Sequence, residues 1–243
     1  MFFILLTFIF LSPLLGFLFV HQQKIQTQIL SFFLGIAAGT FASLIIFEAG
    51  GELLPFSKAS FMALIFLGAG IAANYFLDQL LPANEHHQHH HCQHPAKFCH
   101  MTTMTTISLG WHNLIEGIIF GLLAASDIQA ASVLSIMIIL HNLPLNLALI
   151  VPETYVHSSL AHILKHLFFA NIPFIVGASS YFFLNQGVSE ELLMSGEFFA
   201  FGMIIYLLIN EIWPITWQEK GKKFACLGAS LGIILVILIE FLS

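Results

Sequence analysis

The chain of 243 residues is 58% hydrophobic and only 8% charged, and its mean hydropathy is +0.91. About a quarter of the residues of a soluble domain are charged, so this composition excludes a water-soluble globular protein and indicates a polytopic membrane protein. The formal net charge is −6, and all seven cationic residues are Lys. The absence of Arg argues against phosphate or nucleic-acid binding, for which a guanidinium is the favoured group.

A helix needs about 20 apolar residues to cross a bilayer, and on this measure the sequence predicts eight spans. They cover residues 1–20, 28–49, 60–81, 104–125, 130–151, 160–184, 192–213 and 224–242. The first span lacks a positive n-region and a small-residue cleavage site, so we expect a retained helix rather than a secretory signal. We therefore predict an all-α integral membrane protein with a single transmembrane domain over residues 1–243.

Span two combines a stripe of small residues with an acidic end. The small residues at 35–39 allow another helix to approach closely. Glu48 and Glu52 lie four residues apart at the end of the span. They form either an acidic entrance that attracts cations or an interfacial helix end wetted by carboxylates.

A histidine-rich loop at residues 83–103 follows span three. Tracts rich in His and Cys typically bind late first-row divalent metals. We expect metal capture here by the side chains of His86, His87, His89, His90, His91, Cys92 and His94. Cys92 and Cys99 fit either a metal site or a disulfide, because their spacing matches no standard zinc module.

Span four carries three polar residues, His112, Asn113 and Glu116, at the depth of the membrane. His112 and Glu116 are four residues apart, so they share one face of a helix and can hold one ion. Ionisable groups at this depth usually mark an ion or substrate path. A pair of buried groups that satisfy each other is the alternative, and we favour a metal site.

Span five repeats this pattern with His141, Asn142, Pro144 and Asn146. Pro144 removes a backbone donor and bends the helix, which is tolerated in a membrane only beside protein or a water-filled cavity. Alone, His141 fits a satisfied core histidine. Beside a bent helix and the His/Glu pair of span four, it is expected to be a metal ligand.

The remaining polar residues of the spans are expected at interfaces or without a site role. Asn171 and Pro173 of span six form a milder version of the span-five kink. His162, Lys165 and His166 at the start of span six are expected at the interface. Glu197 and Glu240 are likewise assigned to interfaces.

The lysines orient the chain. Five lie in the connections after spans one, three and seven, namely Lys24, Lys97, Lys220, Lys222 and Lys223. The even-numbered connections carry only Lys58. By the positive-inside rule, both termini are expected outside and the His-rich loop in the cytoplasm.

The chain resembles the ZIP family of divalent-metal transporters over nearly its whole length. The resemblance rests on the number of spans, the His-rich loop and five local motifs. The most specific motif is His-Asn-x-x-Glu-Gly at 112–117. The weaker ones are Gly-x-x-Ala-Gly at 35–39, Glu-Leu-Leu-Pro at 52–55, His-x-x-Pro at 141–144 and Asn-Glu-x-x-Pro at 210–214. The resemblance implies an eight-helix bundle, a two-metal site between spans four and five, alternating access and a homodimer. It also implies that the metal ligands include His112, Asn113, Glu116 and His141.

The chain departs from the family pattern where further ligands are expected. Leu145, Asn146 and Ile172 stand at positions that often carry acids or imidazoles in the family. Glu116 is then the one formal anion between spans four and five, and two adjacent dications would leave unbalanced charge in a low dielectric. We predict a single-metal site of His112, Glu116 and His141 plus water, a ligand set suited to zinc, with Asn113 and Asn142 as neutral donors.

The sequence therefore predicts a transporter that carries a divalent cation, with zinc as the expected substrate, into the cytoplasm across a bacterial inner membrane. Two imidazoles and one carboxylate also suit iron, manganese or cadmium. No catalytic cofactor is expected, and no enzyme, because the usual intramembrane zinc signature needs a second His on the same turn. The alternative is a non-transporting protein that binds or senses metal and keeps the fold.

Overall fold

The computed structural model describes residues 1–20, 26–49, 58–81, 96–155, 159–183, 189–217 and 221–242. All regular secondary structure in these ranges is helical, as predicted, and eight long helices follow one another along the chain. They are α1 (Phe2–Val20), α2 (Thr27–Leu44), α3 (Lys58–Leu80), α4 (Ala96–Ser126), α5 (Ile128–Tyr155), α6 (Leu160–Ala178), α7 (Glu190–Leu207) and α8 (Lys222–Leu242). π-Helical turns at Ile45–Ala49 and Leu208–Ile212 extend α2 and α7, and single turns follow at Ser180–Phe183 and Trp213–Thr216.

Six of the described helices, α2 to α7, are long and apolar enough to cross a membrane. Helix α1 is apolar over the shorter stretch Phe2–Leu18. The chain is therefore an all-helical membrane protein, and the full count of eight spans stays a prediction.

Helix α4 begins at Ala96, so residues 96–103, which the sequence assigned to the His-rich loop, are helical. The physical reason is a continued packing face, because Met101 and Met104 are fully buried. Thr102 donates its hydroxyl proton to the carbonyl of Phe98 one turn earlier, which satisfies the hydroxyl within the helix. Helix α5 likewise runs through Pro144 to Tyr155, beyond the predicted end at residue 151.

Small residues bring helices together in pairs, as the sequence predicts for span two. A Cβ atom added at Gly35 would overlap the backbone of Ala225, so α2 and α8 are in backbone contact. Gly117 of α4 and Gly177 of α6 meet in the same way, and so do glycines of α3 and α7. Such close approach favours van der Waals packing in a bilayer, where the hydrophobic effect does not drive helix association.

Helix α5 lies at the centre of the bundle and packs against α1, α2, α4, α6 and α8. All its residues from 144 to 154 are buried. The side chains of His141, Asn142 and Asn146 on α5 are buried in the protein. Glu116 of α4 meets His141 and Asn142 at the α4–α5 interface.

Candidate metal site

Glu116 lies at the centre of a polar cluster between α4 and α5. Its Oε1 atom is 3.1 Å from Nε2 of His112, one turn earlier on the same helix, and it is also hydrogen-bonded to Nε2 of His141. Its Oε2 atom accepts a hydrogen bond of 3.0 Å from Nδ2 of Asn142. One ligand atom from each of His112, Glu116 and His141 lies within 4.8 Å of the others. The structure thus brings together the three residues predicted to hold a metal.

This cluster, the central triad, is shielded from solvent. His112 and His141 are 6% and 8% exposed, and the Glu116 side chain is 13% exposed. An unpaired carboxylate at such a position is costly, and N–H groups of the two imidazoles can compensate it by donating to Oε1. The donor amide of Asn142 orients the carboxylate, in the manner of outer-shell groups at metal sites.

Asn113 lies next to His112 in sequence but is directed towards α6. Its Nδ2 atom donates to the carbonyl of Ala170 at 2.8 Å and to Oδ1 of Asn171 at 3.3 Å. Adjacent residues of a helix do not face the same side, which explains the separation. The assignment of Asn113 as a metal ligand stays a prediction.

A chain of asparagine amides continues from this point across three helices. Nδ2 of Asn171 donates to Oδ1 of Asn146 at 3.1 Å, and Nδ2 of Asn146 donates to the backbone carbonyl of Asn142 at 2.8 Å. Leu145 beside it is fully buried. Uncharged groups therefore occupy the region where the family resemblance implies additional acids.

A cavity of about 310 Å³ borders the central triad and is lined by His112, Glu116, His141 and Glu197 among apolar side chains. From the sequence, Glu197 is predicted at an interface and without a role in the site. The signal that could have indicated a site role for Glu197 is its position as an acidic residue inside an apolar run. The cavity extends along the C-terminal half of α4 and the N-terminal half of α5.

A second cluster, the α3–α4–α7 triad, consists of Asp78, His100 and Glu211. Nε2 of His100 lies 2.8 Å from Oδ1 of Asp78 and 3.6 Å from Oε1 of Glu211, and Tyr206 donates its hydroxyl proton to Oδ2 of Asp78. The Asn-Glu-x-x-Pro motif contained Glu211, but the sequence did not indicate this triad. Its members come from three separate helices.

A third cluster joins Glu153 near the end of α5 to His162 and His166 at the start of α6. Both histidines are predicted from the sequence to lie at an interface. Periodicity pairs them on one face of α6, but only the packing of the end of α5 beside the start of α6 brings Glu153 to them.

The predicted acidic entrance and the loop capture site lie outside the described residues. This applies to Glu52, to the side chain of Glu48 and to the loop ligands His86, His87, His89, His90, His91, Cys92 and His94. Both assignments stay predictions.

The chain is similar to the zinc transporter ZupT of Streptococcus mutans. The two are 24% identical over 249 aligned residues, which cover 96% of this chain and 91% of the relative. No protein-family model matches the chain. With six helices able to cross a membrane, the similarity supports a metal transporter. It confirms that the chain resembles the ZIP family of divalent-metal transporters along nearly its whole length.

Proposed function

We propose that this protein carries a divalent cation of the zinc class into the cytoplasm by alternating access. The observation that carries the proposal is the convergence of His112, Glu116 and His141 inside the bundle. Two imidazoles, one carboxylate and one open position for water are a chemically sound ligand set for zinc. In this proposal the metal is the cargo, and no catalytic cofactor is involved.

The charge balance favours one bound ion rather than two. Glu116 supplies the single negative charge of the central triad, while the side chains of Asn142, Asn146 and Asn171 are neutral. Glu197 lines the adjoining cavity and is not a member of the triad. A second dication at the triad would meet repulsion from the first in a medium of low dielectric. The site then holds one metal ion between α4 and α5.

The polar groups at the two ends of α4 support a path through the bundle. The cavity with Glu197 lies on one side of the central triad. The α3–α4–α7 triad lies on the other side, and twelve residues of α4 separate His100 from His112, about 18 Å at the helical rise. An ion that enters through the cavity and binds at Glu116 would next meet Asp78, His100 and Glu211.

The lysine distribution gives this path a direction. It favours a cytoplasmic His-rich loop and outside termini, which places the α3–α4–α7 triad at the cytoplasmic end. The cavity then opens outward, and rocking of one helix group against another would expose the ion inward. We propose that the loop histidines receive it. The host membrane, proposed as a bacterial inner membrane, and the homodimer remain expectations.

Uptake of radioactive zinc into proteoliposomes tests the proposal. Wild-type protein is compared with His141→Ala and Glu116→Gln, and Glu191→Gln serves as a matched control because Glu191 is exposed. We expect saturable uptake in wild type and in the control, and its loss in both site variants.

A second outcome distinguishes the alternative function. The single carboxylate of the central triad also fits a protein that binds or senses metal without moving it. Tight zinc binding by wild type with no flux would overturn the transport proposal and support that alternative. Unchanged uptake in Glu116→Gln would show that the ion does not pass through the central triad.

A further inference from the structure

Glu153 is an ionisable residue that the proposed transport path does not use. It is 2% exposed and lies in the last turn of α5. Its Oε1 atom is 3.5 Å from Nε2 of His162, and its Oε2 atom has no hydrogen-bond partner in the described part of the chain. A buried carboxylate with an unsatisfied oxygen is costly unless a cation compensates it.

Two imidazoles face this carboxylate from the first turns of α6. His162 and His166 are one turn apart, and their ring centroids are 4.7 Å apart. Ser159 caps the helix by accepting a hydrogen bond of 3.3 Å from the backbone nitrogen of His162. The cap stabilises the start of α6, the helix that carries both rings.

A neighbouring hydroxyl group selects the tautomer of His166. Thr106 on α4 donates its one hydroxyl proton to the carbonyl of Thr102 at 2.8 Å. Its Oγ1 atom lies 2.9 Å from Nδ1 of His166, and while that proton is donated to Thr102 the oxygen can only accept from the ring. With the proton on Nδ1, the lone pair of the neutral ring is on Nε2. This is the arrangement in which an outer-shell partner orients a metal-ligating histidine.

We propose that Glu153, His162 and His166 form a second, separate binding site for one divalent cation of the zinc class. One ligand atom from each residue lies within 4.8 Å of the others. Two imidazoles and a carboxylate match the donor preference of zinc, with water as the fourth ligand. The side chain of His162 is 28% exposed, which gives an ion and its water a route from solvent.

The proposed site is remote from the central triad. Twelve residues of α5 separate His141 from Glu153, about 18 Å at the helical rise. It lies at the same end of the bundle as the α3–α4–α7 triad, because α4 begins and α5 ends there. The site goes beyond the proposed transport function, since it would hold metal whether or not the central triad moves it.

Residue-resolved acylation by diethyl pyrocarbonate tests this site in the purified full-length chain. The reagent acylates an imidazole nitrogen that carries a lone pair, and a bound metal blocks that reaction. Peptide mass spectrometry follows His162 separately from the loop histidines, with and without added zinc chloride. At saturating zinc we expect acylation of His162 to slow by about tenfold, since occupancy then exceeds about 90%.

Three variants separate the site from its alternatives. In Glu153→Gln and in Thr106→Val we expect zinc to protect His162 much less than in wild type, and Thr106→Ser restores the protection. In Glu116→Gln protection of His162 persists, whatever happens to transport. Continued protection of His112 in Glu153→Gln and Thr106→Val shows that the bundle is folded.

Two results would overturn the proposal. The first is a rate of His162 acylation in wild type that zinc does not change, which would leave only the direct contact between Glu153 and His162. The second is protection that survives in Glu153→Gln, which would show that the histidines bind metal without the carboxylate.

Discussion

Nδ2 of Asn171 on α6 lies 3.1 Å from Oδ1 of Asn146 on α5 and donates a hydrogen bond to it. Asn171 also accepts from Asn113 of α4, so amides link the three helices around the central triad. The ZIP resemblance implies an acidic residue in this region. An acidic residue would add a negative charge, whereas the amides link the helices by hydrogen bonds. The chain therefore combines one anionic ligand, Glu116, with a neutral scaffold that holds the helices carrying it.

The substitution Asn146→Asp tests this relationship. The new carboxylate keeps an acceptor for Asn171 and adds an anion near the central triad. We expect the zinc affinity that protects His112 and His141 from acylation to rise at least about tenfold, because one more negative charge near a dication, at an effective dielectric of about 20, contributes more than about 1.4 kcal/mol. Thermal stability without metal should fall, since the carboxylate is buried.

Gln129→Glu is the matched control for Asn146→Asp, because Gln129 is an exposed amide on the same helix. We expect no change of zinc affinity in that variant. Equal affinity in Asn146→Asp and wild type would show that position 146 does not influence the metal.

The central triad could be predicted from the sequence because helical periodicity governs it. His112 and Glu116 are four residues apart on α4, and the structure places Nε2 and Oε1 3.1 Å apart. The pairing with His141 is predicted from the polar residues of span five and from the family resemblance. Asn113, in contrast, faces α6, since a step of one residue turns the helix to another side.

The other two clusters could not be predicted, because their residues meet only through tertiary packing. His100 joins Asp78 and Glu211 from three helices. Glu153 reaches His162 only because the end of α5 packs beside the start of α6. A single sequence contains no signal for such contacts beyond the presence of ionisable groups in apolar runs.

Asn142→Leu tests how the carboxylate of Glu116 is oriented. The change removes the hydrogen bond of 3.0 Å to Oε2 and keeps a side chain of similar size. We expect zinc affinity at the central triad to fall by about 10- to 100-fold, the usual effect of losing an outer-shell partner. The affinity is measured by zinc protection of His112 and His141.

Asn74→Leu controls for the loss of a buried amide elsewhere. Asn74 donates to Ser108 and to the carbonyl of Met203 rather than to a residue of the central triad. That variant should lose stability but keep its zinc affinity. If Asn142→Leu bound zinc as tightly as wild type, the amide would have no part in positioning Glu116.

Glu197→Gln tests the cavity as the route of the ion to the triad. A carboxylate in a narrow cavity raises the local concentration of cations and their rate of association. We expect zinc uptake at low concentration to fall by about three- to tenfold and to lose part of its salt dependence. Saturating uptake should change little, because Glu197 is not one of the triad residues.

Glu191→Gln serves again as the control, since Glu191 is exposed on the same helix. It should leave uptake unchanged at every zinc concentration. An equal reduction in both variants would point to general surface charge, and no reduction in Glu197→Gln would rule out a role of the cavity carboxylate.

Gly177→Ala tests whether the contact between α4 and α6 supports the triad. A Cβ atom at Gly177 would overlap the backbone carbonyl of Leu114, and its nearest other contact would be the backbone nitrogen of Ile118 at 2.8 Å. Backbone atoms cannot move aside as a flexible side chain does, so α6 must shift away from the segment that carries His112 and Glu116. We expect a loss of about 1–3 kcal/mol in stability, typical of overpacking, and weaker zinc protection of His112.

Gly68→Ala is the matched control, because a Cβ at Gly68 meets nothing within 4 Å. Alanine is the better helix former by about 1 kcal/mol, so this variant should be as stable as wild type or slightly more stable. Thermal unfolding of both variants in detergent measures the difference. If Gly177→Ala unfolded at the wild-type temperature with unchanged zinc protection, the α4–α6 contact would be looser than the structure has it. If instead stability and zinc protection fell together in Gly177→Ala alone, the close helix contact would be shown to hold the ligands of α4 in place.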